Sequence, residues 1–215
     1  MHDIVLISDP RVTSIPVEEN GEALVDVRSV LAVDGMMADA DGAFAHLREG
    51  VLARLVDAQR ALPSGYRLLV VEGYRPVVQQ KRIFEEYKDE LRVTFPEMSP
   101  AELHVAASRY VSPVEVAPHT AGAAVDLTLA TDEGTALDMG TAVNDTPEQS
   151  DGACYTAAPN ISAEARDHRK ILGQALESAG LVNYPTEWWH WSYGDRYWAL
   201  ATNAPAAVYG PRTYP

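Results

Sequence analysis

Four side chains in this sequence could do hydrolytic chemistry together: His119, Asp126, His190 and Glu187. They lie in two distant segments, His119-Thr120-Ala121-Gly122-Ala123-Ala124-Val125-Asp126 and Glu187-Trp188-Trp189-His190, and a third segment, Glu72-Gly73-Tyr74-Arg75-Pro76, adds a cation. Two imidazoles and one carboxylate form a donor set for catalytic zinc, which usually takes about three protein ligands and leaves a fourth position for water. The same set also fits iron. A metal lowers the pKa of its water to about 7, so a nucleophile exists at neutral pH. Glu187 has the chemistry to take the proton of that water and pass it to a leaving amine. Taken singly, each residue has a plainer reading: a structural imidazole, a polar residue on a wet strand face, a surface charge. Trp188, Trp189 and Trp191 read as core or pocket wall. It is the spacing in combination that points to a metal centre.

Strands and helices must bring these segments together. Residues 123–129 alternate, with Val125, Leu127 and Leu129 on one face and Ala124, Asp126 and Thr128 on the other. That pattern predicts a strand with Asp126 on its wet face. The aromatic run from Tyr184 to Tyr193 predicts a second strand around His190, and Tyr66 to Val71 a third. Pro76 suits the first turn of a helix to about Arg92, and Ser99-Pro100-Ala101-Glu102 is a capping box for another, to about Tyr110. Phe44, Leu47, Val51, Leu55, Ala58 and Leu62 recur at helical spacing, which predicts a helix from Asp41 to Leu62 closed by Pro63 and Gly65. Residues 162–179 give the clearest helix, capped by Ser162 and followed by Gly180. Residues 1–35 look extended, residues 131–160 read as hairpin and loop, and the tail from Asn203 should wrap the surface. Helices mixed with a few strands predict an α+β fold, as one domain over residues 1–215.

Composition narrows the partners. The chain has 215 residues, 47% of them apolar and 22% charged, with a formal net charge of −14. So acidic a surface repels phosphate backbones and anionic lipid, which argues against nucleic acid and membrane partners. Cys154 is the lone cysteine, so no internal disulfide is possible and a catalytic thiol has no motif around it. The first residues, Met-His-Asp-Ile-Val-Leu-Ile, lack a basic segment and a long apolar run, which predicts a cytoplasmic protein. His2, His46, His104 and His168 receive no catalytic role, with His46 and His104 placed in helices. The sequence sets no oligomeric state.

His-x-x-Gly-x-Ala-x-Asp, followed some way downstream by Glu-Trp-Trp-His, resembles the D-alanyl-D-alanine dipeptidases, the VanX-type zinc enzymes. It is similar, more loosely, to the zinc D,D-carboxypeptidases and the Hedgehog signalling domain. Glu72-Gly73-Tyr74-Arg75-Pro76 and Asp138-Met139-Gly140 match the same family, in the same order. The resemblance implies a small, mainly antiparallel sheet flanked by helices, with one zinc ion in a cleft at the sheet. It implies His119, Asp126 and His190 as zinc ligands, Glu187 as general base and Arg75 as the group that receives charge on the scissile carbonyl oxygen. An ion pair with an acidic neighbour is the plainer reading of Arg75. The substrate implied is a small peptide, with Asp138, Asn144, Asp145 and Trp189 as candidate contacts.

Two positions depart from the family pattern. A serine usually stands two residues before the first histidine ligand, where this chain has Ala117. An aspartate that binds the free amine of the dipeptide usually stands where this chain has Asn144, with Asp145 next to it. An acid pairs with an ammonium far better than an amide does. Alternatives to a D-Ala-D-Ala dipeptidase therefore stay open: a peptidoglycan carboxypeptidase or endopeptidase, a hydrolase of a non-peptide amide, and a zinc-binding domain without catalysis.

Overall fold

A computed structural model describes residues 4–214. His2 lies outside them. The elements, in chain order, are α1 (Pro10–Thr13), β1 (Leu24–Asp26), β2 (Ala32–Val33), β3 (His46–Arg48), α2 (Glu49–Ala61), β4 (Tyr66–Glu72), α3 (Val77–Thr94), α4 (Pro100–Ala107), β5 (Ala124–Thr131), α5 (Ala163–Ser178), β6 (Val182–Asn183), β7 (His190–Ser192) and α6 (Arg196–Thr202). The fold is α+β, as the sequence predicts. The main sheet runs β2-β4-β5-β7-β6, and only its β2–β4 edge is parallel. A second, two-stranded sheet pairs β1 with β3. No helix among the described residues is long and apolar enough to cross a membrane.

The two faces of the main sheet do different work. Leu68 and Val70 of β4 and Val125, Leu127 and Leu129 of β5 pack with Val51 and Leu55 of α2 and Leu172 and Leu176 of α5. Burying apolar side chains at roughly 1.5–3 kcal/mol each makes this layer the main source of cohesion. The opposite face carries Asp126, and it is not wet: Asp126 and Thr128 are both buried. Alternation therefore predicts the strand correctly and the exposure wrongly: Asp126 packs against the rings of His119 and His190. A smaller cluster joins α3 and α4 through Phe84, Tyr87, Leu91 and Leu103.

The predicted helix from Asp41 to Leu62 is shorter. It starts at Glu49, behind a 3-10 turn at Ala43–Ala45 and the strand β3, so His46 is a strand residue. Gly42 breaks the helical path with φ 71°, and Asp39 accepts hydrogen bonds from the N–H groups of Ala43 and Phe44. Phe44 and Leu47 are buried anyway, which is why their spacing mimics one helix face. The capping box at Ser99 and the Ser162 cap form as expected, although α4 stops at Ala107. Of the run 184–193 only β7 is strand. Residues 1–35, expected to be irregular, contain α1, β1 and β2.

Candidate metal centre

Strand pairing builds a row of polar side chains on the second face of the sheet. Asp126 of β5 lies opposite His190 of β7 on one side and opposite Glu72 of β4 on the other. A bulge between Val70 and Glu72 shifts the register and puts Glu72 on this face. Such bulges re-aim side chains next to sites. His119 arrives from a 3-10 turn, Pro118–Ala121, which Gly122 ends with φ 64°. An added Cβ at Gly122 would also meet Leu24 Cδ2 at 2.3 Å, so glycine is required twice over.

The ligand atoms converge. His119 Nε2 lies 3.2 Å from His190 Nδ1 and 3.4 Å from Asp126 Oδ2, and His190 Nδ1 lies 3.0 Å from Asp126 Oδ1. His119 Nδ1 donates to the carbonyl of Gly73 at 2.7 Å, so in the neutral ring Nε2 presents a lone pair to the cluster. Tetrahedral zinc, with Zn–N near 2.0–2.1 Å, needs ligand atoms roughly 3.3 Å apart, and these three satisfy that spacing. Protein partners alone leave the cluster short: His119 Nε2 and His190 Nδ1 lie 3.2 Å apart around one carboxylate, an arrangement that a shared cation satisfies better than a hydrogen bond between the two rings. The residues fit a divalent cation.

Burial opposes charge throughout the site, and the neighbours decide. Desolvation resists ionisation of Asp126, but the imidazoles of His119 and His190 hold its carboxyl well below the usual range. Desolvation likewise resists a charged His119, yet Asp126 holds its pKa up. Glu187 is pushed well above the ordinary carboxylate value by burial and then by the nearby Asp126, with Arg75 pulling the other way. Its Oε2 lies 3.7 Å from His190 Nδ1. All of these groups line one cavity of about 340 Å³, within the range of small-ligand sites.

Arg75 combines its two sequence readings. Its Nε donates to Glu72 Oε1 at 2.8 Å, its Nη2 to Glu72 Oε2, and its Nη1 to Gln80 Oε1 at 2.8 Å. Burial works against the guanidinium charge, and Glu72 more than offsets it. The ion pair thus exists, and Arg75 still lines the cavity beside His119 and Glu187. A bidentate pair fixes a guanidinium plane, which leaves its remaining N–H groups aimed.

Comparison with known proteins shows the family. The profile of the peptidase M15 family, described as D-ala-D-ala dipeptidase, matches residues 36–206. The chain belongs to that family. It is a metallopeptidase. The D-alanyl-D-alanine dipeptidase of Synechocystis is 30% identical over 220 residues, covering 88% of this chain and 89% of the relative. That of Enterococcus faecalis is 32% identical over 167 residues, covering 72% and 79%. The structure of VanYB in complex with D-Alanine-D-Alanine shares the fold, with a TM-score of 0.50 at 17% identity over 94% of this chain and 92% of that one.

The four candidate substrate contacts part company. Asn144 lines the cavity; it sits at φ 69°, its carbonyl accepts from the Tyr110 hydroxyl and its Nδ2 lies 3.6 Å from Met37 Sδ. Asp145 turns away and accepts from the N–H of Ala142 at 2.9 Å. Asp138 is exposed and accepts from the N–H of Gly140, while its carbonyl accepts from His168 Nδ1. Trp189 is buried in the main core against Trp188. These three do not line the cavity. Gln80, Tyr110 and Tyr184 do, and sequence reading gave them no role. Gln80 had a faint signal, falling one helical turn after Pro76 in α3; the two tyrosines had none.

Proposed function

We propose that this chain is a zinc-dependent peptidase of short D-amino-acid peptides, hydrolysing D-Ala-D-Ala or a related small peptide. The observation that carries it is the convergence of His119, Asp126 and His190, with Glu187 and Arg75 facing the same cavity. Zinc held by those three side chains would supply a Lewis acid and make its water acidic near neutral pH. Glu187 takes the proton of the attacking water and delivers it to the leaving nitrogen. A carboxyl raised above its ordinary value by burial suits both transfers. Arg75 donates to the carbonyl oxygen as that atom gains charge, from a guanidinium already locked by Glu72 and Gln80. Because the donors are set before substrate arrives, no reorganisation is needed at the transition state.

The test is hydrolysis of a panel of D,D- and L,L-peptides, free and N-acylated, by zinc-reconstituted protein, followed by product chromatography. Glu187→Ala should lower kcat by at least about 10²-fold, the lower end of what one general base contributes, with zinc content unchanged. Absence of hydrolysis across the panel, or equal rates in wild type and variant, would sink the proposal.

A further inference from the structure

The proposed base and one proposed ligand, Glu187 and His190, share a stretch of chain with little sheet to hold it. β6 and β7 pair through Val182 with Ser192 and Asn183 with Trp191 alone, and residues 184–189 between them form no strand. Inside this turn, Glu187 N–H donates to Tyr184 O at 2.9 Å, His190 N–H to Glu187 O at 3.2 Å, and Tyr184 N–H to His190 O at 3.0 Å. The carbonyls of Glu187 and His190 share one further donor, and it is a side chain. Asn183 Nδ2 donates to both, at 3.0 Å each. A single amide thus ties the backbone of the base to the backbone of the ligand.

The other end of that amide is also engaged. The Thr156 hydroxyl donates to Asn183 Oδ1 at 2.6 Å. Two carbonyls on one side and a hydroxyl on the other fix which end is nitrogen. A carboxylate in this place has no donor for either carbonyl, and a hydroxyl has only one. The loop that carries Thr156 grips the same turn through its backbone: Thr156 N–H donates to Pro185 O and Trp188 N–H to Cys154 O, both at 3.0 Å. Asn183 lines a separate cavity, with Thr156, Trp188 and Trp191, and not the cavity of the metal cluster. Its influence on hydrolysis must therefore pass through Glu187 and His190.

We infer that Asn183 is a positioning residue, whose side-chain amide sets the placement of Glu187 relative to His190 and so of the base relative to the metal. The inference rests on the peptidase reading above. Placement matters because a misplacement of about 1 Å can cost about 10²-fold in rate. The experiment takes the full chain as wild type, Asn183→Ala and the isosteric Asn183→Asp, which turns a carboxylate oxygen toward the two carbonyls. Zinc-loaded protein is assayed on the peptide panel above, zinc affinity is measured by chelator competition, and cobalt-loaded protein gives a visible absorption spectrum that reports ligand geometry. Ser162→Ala, which removes the cap of α5, controls for plain loss of stability. In both Asn183 variants kcat should fall by about 10–10²-fold with KM within about 3-fold, and zinc affinity should weaken by about tenfold. Their cobalt bands should shift, whereas Ser162→Ala should lower the urea midpoint and leave kcat, zinc affinity and spectrum unchanged. Folded Asn183 variants with wild-type kcat and spectrum overturn the inference, as does an effect confined to KM. Variants that fail to fold overturn it too, since the amide then serves folding. If wild type hydrolyses nothing in the panel, the peptidase reading falls, and zinc affinity and the cobalt spectrum decide alone: changes in both support the inference, and no change in either overturns it.

Discussion

Two buried polar clusters in this molecule solve opposite problems. Around Arg48, which is fully buried, every donor is satisfied. Its Nε donates to Ala121 O, its Nη1 to Glu19 Oε1 and Glu22 O, and its Nη2 to Glu19 Oε2 and Gly210 O, all within 3.1 Å. Glu22 in turn accepts from Tyr209 Oη and Gly50 N. Around Asp126 the account stays open. Two ring nitrogens, His119 Nε2 and His190 Nδ1, face each other across the Asp126 carboxylate. The first cluster is closed by protein and holds the chain together; the second is left for something that is not protein. They touch at one place. Arg48 holds the carbonyls of Ala121 and Gly122, and thereby the turn that presents His119. The satisfied knot fixes the unsatisfied site.

The comparison breaks most visibly at His119. On the proposed zinc site, His119→Ala would remove one of three ligands, and zinc content should fall to background while kcat/KM drops by at least about 10³-fold. The fold should survive, because the ligand cluster holds charges that burial disfavours. Urea unfolding of metal-free variant and metal-free wild type should agree within about 1 kcal/mol. A variant that keeps its zinc would remove His119 from the metal centre. A variant that unfolds would show that the cluster is structural after all.

Arg48→Met inverts the pattern. It leaves Glu19, which is exposed, against two backbone N–H groups without its main counter-charge. Glu19 keeps its contact with solvent, so the larger cost comes from the carbonyls of Ala121, Glu22 and Gly210 left without the guanidinium donors, about 1–3 kcal/mol, read as a lower urea midpoint at unchanged slope. A loss under about 1 kcal/mol would mean that the knot is ornamental. Zinc affinity should weaken as well, since the Pro118–Ala121 turn loses its anchor.

The sequence revealed these clusters unequally. The convergence of the candidate metal cluster was legible because such chemistry constrains residue type and local spacing, as in His119 to Asp126 and Glu187 to His190. Local signals also gave β5, α5 and the Ser99 capping box. The Arg48 knot left no trace, because its partners at 19, 22, 121 and 210 are joined only by the fold. The same holds for Glu72, whose role depends on a bulge, and for Gln80, whose side chain bridges Arg75 and the Ser112 carbonyl. At Asn144 and Asp145 the sequence left a choice of two. The backbone decides it, because an asparagine tolerates the left-handed conformation that faces this side chain to the cavity.

The smallest effect expected is on acid stability, and it separates the knot from the rest of the fold. Glu19 and Glu22 both have lowered pKa values; burial resists this, but backbone N–H groups hold Glu19 and the Tyr209 hydroxyl holds Glu22 ionised, with Arg48 adding charge to both. A carboxyl depressed in the folded state contributes stability that is present above its unfolded value, here 4.5, and lost as pH falls through the folded value. Wild-type stability should therefore decline on acidification below about pH 4.5. Glu19→Gln cannot titrate at that position, so it should start less stable at pH 7 and lose less on acidification, and the two urea-midpoint curves should converge. Parallel curves would place the acid sensitivity elsewhere, with the depressed carboxyl of Asp126 the next group to examine.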